Sequence, residues 1–180
     1  MRDLFALGAI GRLVPMRTLL ENTLLTLLAE AGATADAASI QAVLDGMATL
    51  EPRADAATVL ERLHGSGLRL LALSNGSRAA TEALLDRAGF ASRFEAVLSI
   101  EEVGLPKPRA EVYHAAASRL SLQPGDLTLV AVHPWDIQGA IAAGLETGYV
   151  SAAAAYPPYL DPPTCQADTL DGVARLLAPH

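Results

Sequence analysis

Ser74 and Asn75 stand together at the end of an apolar run, residues 68–73, and offer a hydroxyl and a carboxamide that can donate hydrogen bonds to a carboxylate or phosphate. Strand ends followed by a helix also present free backbone amides, which favour anions at the same spot. Lys107 lies between Pro106 and Pro108, whose rings restrict the local backbone and aim the ammonium reproducibly. Asp136 follows a second apolar run, residues 127–132, within His133-Pro134-Trp135-Asp136. Donors, one cation and one carboxylate at such positions suit binding of a small anion. Tyr113, six positions after Lys107, can add a phenol to the same pocket, and His133 can add an imidazole. Each residue also has a plainer reading. Ser74, Asn75 and Asp136 can simply cap helices, Tyr113 can be a half-buried aromatic, and His133 a hydrogen-bonded strand-end side chain.

These residues need a scaffold, and the hydrophobic pattern supplies one. Apolar side chains recur at helical spacing over residues 16–31 (Leu19, Leu20, Leu24, Leu27, Leu28) and 36–50 (Ile40, Val43, Leu44, Met47). From residue 54 onward, helix and strand alternate. Strands are expected at residues 68–73, 96–100, 127–132 and 147–150, and helices at 77–88, 109–120, 136–143 and 170–177. Alternation of this kind gives an α/β fold, a doubly wound parallel sheet with helices on both faces. Ligands bind such sheets at the carboxyl ends of the strands. The expected organisation is a small helical cap over residues 1–53 and an α/β core over 54–180.

The chain has 180 residues, 51% of them hydrophobic, which suits one core with a small appendage. A formal charge of -7 argues against a nucleic-acid footprint. No apolar run approaches the roughly 20 residues needed to cross a bilayer. The opening residues lack the long apolar segment of a secretory signal, so a cytoplasmic protein is expected. A single cysteine, Cys165, excludes an internal disulfide framework. The proline-rich stretch around Tyr156-Pro157-Pro158-Tyr159 is expected to be a rigid surface connection before the last helix.

The order Ser74-Asn75-Gly76, then Lys107 in Gly104-Leu105-Pro106-Lys107-Pro108, then Asp136 in His133-Pro134-Trp135-Asp136 resembles the later motifs of the haloacid dehalogenase superfamily, type II 2-haloacid dehalogenase branch. The resemblance implies a Rossmann-like core with a helical cap and a hydrolase acting on a small 2-halo acid without metal or organic cofactor. It assigns Ser74, Asn75, Tyr113 and His133 to substrate binding, and Lys107 and Asp136 to catalysis, the lysine orienting a nucleophilic carboxylate. His133 and Ala131 depart from the asparagine and serine of that pattern.

The family's first motif, an apolar strand ending in the nucleophilic aspartate of Asp-x-Tyr-Gly-Thr-Leu, has no counterpart here. Asp3-Leu4-Phe5 echoes it in wording alone, lacks the Gly-Thr pair and reads as a cap helix. Halide displacement in this family forms an ester on that carboxylate, which water then cleaves. The isolated chain is therefore expected to be inactive. An amino-terminally shortened dehalogenase accounts for the pattern; a pseudoenzyme binding a small anion or protein, or a phosphatase-like half-site completed by another chain, are the alternatives. In the family the missing strand lies between those matching residues 68–73 and 127–132. The expectation is that these two close on each other, with self-association through open edges as the competing outcome.

Overall fold

The computed structural model describes residues 1–151 and 155–178. Three helices come first: α1 (Arg2–Ala9), α2 (Met16–Glu30) and α3 (Ala37–Ala48). Asp36 caps α3 by accepting a hydrogen bond from Ser39 N at 2.7 Å. α2 and α3 pack on each other, and Arg17 of α2 reaches Asp45 of α3 at 2.8 Å. The leucine stripe of α2 is only half covered: no residue of this helix is fully buried, and Leu27 is 56% exposed.

The alternating part follows as α4 (Ala56–Gly65), β1 (Leu71–Ser74), α5 (Arg78–Arg87), β2 (Ala96–Ser99), α6 (Ile100–Val103), α7 (Ala110–Arg119), β3 (Thr128–Ala131), α8 (Pro134–Ala142), β4 (Glu146–Val150), β5 (Cys165–Ala167) and α9 (Leu170–Leu177). All ladders are parallel, as the crossover pattern requires. β1 is shorter than the apolar run that predicts it. Leu68 N still closes the end of α4 on Leu63 O, and Arg69 pairs with Glu95, so the ladder begins only at Leu71. β5, Cys165-Gln166-Ala167, is too short to show a period and escapes prediction from sequence. The proline-rich connection leads into it before the last helix, tied down where Gln138 Nε2 donates to Tyr156 Oη at 2.9 Å and to Asp161 O at 2.8 Å.

The two strands expected to close on each other do not pair. β1 pairs with β2 in one sheet, and β3, β4 and β5 form another in that order. Adjoining cavities of about 300 and 410 Å³ separate them, both lined by Leu71 and Leu73 on one side and Leu129 and Val130 on the other. Helices packed against both sheets hold this spacing. On one face α4 lies against α9, with Val59 and Val173 buried at the contact. On the other, the buried cluster of Tyr113, Ala140, Ala143 and Leu145 is packed by Leu73, Leu127 and Leu129. Closing the strands would require this packing on both faces to be rearranged, which dense interiors resist. β4, flanked on both sides, is buried along Thr147–Val150, whereas β1 and β3 stay partly exposed.

Candidate functional site

The carboxyl ends of β1 and β3 meet at one buried ion pair. Lys107 is 8% exposed and Asp136 5%. Lys107 Nζ lies 2.7 Å from Asp136 Oδ2 and 3.4 Å from Leu73 O of β1. Tyr113 Oη donates to the other carboxylate oxygen, Asp136 Oδ1, at 2.6 Å. Both oxygens of Asp136 thus carry a strong, charge-assisted partner. Burial, followed by the charge of Asp136, pushes the Tyr113 phenol far above its ordinary range, so it acts as a permanent donor. One chain of bonds links α7, α8 and the loop that carries Lys107.

Asn75 joins from the β1 side. Its Oδ1 accepts a hydrogen bond from Lys107 N at 3.1 Å, which fixes the carboxamide and leaves its NH2 group as the donating end. Ser74 Oγ accepts from Gly76 N at 2.9 Å, and Gly76 O accepts from the buried Ser99 Oγ at 2.7 Å, tying the loop after β1 to the end of β2. Helix capping therefore does not explain these residues. The cap of α5 is Ser77, whose Oγ accepts from Ala80 N at 3.2 Å. Asp136 sits in the first turn of α8, yet its side chain goes to Lys107 and Tyr113 instead of the helix's own amides.

The remaining candidate, His133, is placed differently. It precedes α8 at the end of β3, and its exposed ring lies 5.3 Å from the indole of Trp135 without a hydrogen bond to the ion pair among the described residues. Phe5 of α1 meets the same indole edge-on at 5.2 Å. α1 also crosses the lysine loop at Gly8, where a Cβ would come within 3.0 Å of Pro106 Cγ. Asp3 stands on this helix, exposed and paired with Arg2 at 3.2 Å.

Sequence reasoning missed Gly139. A Cβ there would lie 2.5 Å from Pro108 Cβ and 2.6 Å from Tyr113 Oη, so only glycine lets α8 approach close enough for Asp136 to reach both partners. The signal was present as a glycine interrupting a helical pattern, but its packing partner lies far away in sequence. Among the described residues, no three His, Cys, Asp or Glu side chains are grouped to hold a metal ion.

With this geometry in place, similarity to known proteins is informative. The family described as haloacid dehalogenase-like hydrolase matches residues 6–144. The chain belongs to this family. An (S)-2-haloacid dehalogenase of Pseudomonas putida is 28% identical over 142 residues, 79% of this chain and 63% of that protein. Another from Pseudomonas sp. strain YL is 29% identical over the same length, covering 79% and 61%. The chain thus spans less than two thirds of the length of these curated relatives. The structure of L-2-haloacid dehalogenase from Xanthobacter autotrophicus with chloropropionic acid covalently bound superposes with a TM-score of 0.89 at 21% identity, covering 98% of this chain and 81% of that one. That likeness establishes the haloacid dehalogenase fold, with its α/β core and parallel strands. No described helix is long and apolar enough to cross a membrane.

Proposed function

We propose that this chain carries the acid-binding side of a 2-haloacid dehalogenase type site, and that the isolated 180-residue polypeptide binds small 2-halo acids without releasing halide. The curated relatives' names and the chloropropionic acid in the Xanthobacter structure point to that substrate class. The observation that carries the reading is the buried Lys107–Asp136–Tyr113 chain with Asn75 locked onto the lysine's own backbone. Ser74 and the Asn75 NH2 take the acid group, Lys107 supplies the positive charge, and His133 with Trp135 borders the entrance. Asp136 and Tyr113 position the lysine.

Displacing halide needs a carboxylate free to attack carbon. Asp136 is the described carboxylate that touches Lys107, and both its oxygens are committed. Asp3 is exposed and bound to Arg2. Chloride release from 2-chloropropionate by the isolated chain is therefore expected to be nil, while titration with the same acid shifts the amide resonances of Ser74 and Asn75. Asn75→Ala or Lys107→Met should weaken that shift. Chloride release at a rate above buffer, or a shift indifferent to both substitutions, overturns the reading.

A further inference from the structure

We infer that Ser99 is a positioning residue for the anion-binding loop after β1, its buried hydroxyl holding the Gly76–Ser77 peptide so that Ser74 and the amides beyond it face the ligand. The inference rests on the acid-binding reading above and adds to it a residue of β2, which itself touches no ligand.

Ser99 ends β2 directly opposite Ser74 in the ladder and is wholly buried. Helix capping accounts for only part of its bonding. Its Oγ accepts from Glu101 N at 3.1 Å, and its N–H donates to Glu102 Oε1 at 3.1 Å, the reciprocal arrangement that starts α6. Capping uses a lone pair of the hydroxyl and leaves its proton over. That proton crosses to Gly76 O at 2.7 Å. An ionised aspartate caps as well as serine but has no proton to give, so this second bond, and not the cap, is what calls for a hydroxyl here.

The groups joined to Gly76 O make the bond consequential. Gly76 N donates to Ser74 Oγ at 2.9 Å, which occupies an acceptor lone pair and leaves the Ser74 O–H to donate elsewhere. The approach is close, since a Cβ on Gly76 would come within 3.2 Å of Ser74 Oγ. The Gly76–Ser77 peptide is trans, so with its carbonyl held toward Ser99 its N–H points the opposite way, away from β2. Among the described residues Ser77 N meets no partner. Glu102 steadies the next step of the chain: its Oε2 accepts from Arg119 at 2.7 Å and from Arg78, the first residue of α5, at 3.3 Å. Without the Ser99 proton the Gly76 carbonyl is free to turn, and the Ser77 N–H turns with it.

The test titrates the full chain with 2-chloropropionate and follows amide shifts together with amide hydrogen exchange. Ser99→Ala should weaken binding about tenfold and speed exchange at Gly76 about tenfold, because the loop loses its anchor. Val97→Ala, on the same buried strand but without a side-chain bond to the loop, should lower the urea midpoint and leave both readings as in the parent, which separates positioning from plain destabilisation of β2. In a Ser74→Ala background, Ser99→Ala should cost only about twofold in affinity, since a residue through which it acts is gone. Should alanine prevent folding, Ser99→Cys, with a weak S–H donor at the same place, gives the reading and should show the same losses in smaller measure. Parent-like binding or parent-like Gly76 exchange in Ser99→Ala, an equal loss in Val97→Ala, or an undiminished loss in the Ser74→Ala background overturns the inference. A parent chain that does not bind the acid overturns the acid-binding reading itself, whereas a parent that binds and a Ser99→Ala variant that binds equally overturn this inference alone.

Discussion

At the scale of residues, Tyr113 is the side chain through which pH reports on the site. Its phenol is fully buried, donates to Asp136, and titrates far above the ordinary tyrosine value because burial, and then the neighbouring carboxylate, disfavours phenolate. The sign follows directly. Below about pH 10 tyrosine is protonated in both folded and unfolded chains, so the contribution is constant; above it the unfolded chain alone loses the proton, and stability falls by about 1.4 kcal/mol per pH unit for this group. Denaturant melts from pH 9 to 11 should therefore show a steeper alkaline decline for the parent chain than for Tyr113→Phe. At neutral pH the same substitution should cost about 1–3 kcal/mol, because it leaves Asp136 Oδ1 buried without its donor. Parallel pH profiles for the two proteins would place the phenol outside the ion-pair network. Motif order and proline flanks single out Lys107 and Asp136 in the sequence, and spacing sets Tyr113 near them; that the Tyr113 phenol goes to Asp136 was not legible there. Nor was the use of Leu73 O by the lysine, since it depends on a strand end and a loop meeting in space.

Among the elements, α8 shows where sequence patterns stop being informative. Its start is marked by Pro134 at the first turn and its stop by Gly144, so the helix itself is predictable. How closely it lies against the lysine loop is set by Gly139, whose missing side chain leaves room for Pro108 and Tyr113. Gly139→Ala should gain helix propensity, by roughly 1 kcal/mol, yet lose more through overpacking, for a net destabilisation of about 1–2 kcal/mol. The displacement falls on the Tyr113–Asp136 bond, so the alkaline profile should also flatten toward that of Tyr113→Phe. A neutral or stabilising outcome in urea melts would mean that the helix can shift without cost. The long periodic helices were readable for the same reason that β5 was not: a three-residue strand has too few positions to show a period, and only pairing with β4 defines it.

For the whole molecule, the gap between β1 and β3 governs the distribution of stability. The expected closure fails because the helices on each face are already packed against both sheets, a constraint on which residue periodicity is silent. The family resemblance thus implied that a strand's place was unfilled, but not that the scaffold would keep the place open. Two valines measure the consequence with identical chemistry. Val150 of β4 is 1% exposed, in a strand flanked on both sides, whereas Val130 of β3 is half-buried beside the slot. Truncating a fully buried valine removes its transfer free energy and leaves a cavity, so Val150→Ala should cost about 2 kcal/mol. Val130→Ala removes the same atoms from a wall that solvent already reaches, and should cost well under half as much by the same urea-melt measure. If the chain closes the slot in solution, by collapse or by association, Val130 becomes an interior residue and the two costs converge. Equal destabilisation would therefore contradict an open slot, whereas a Val130→Ala cost well under half that of Val150→Ala would show that solvent reaches this wall.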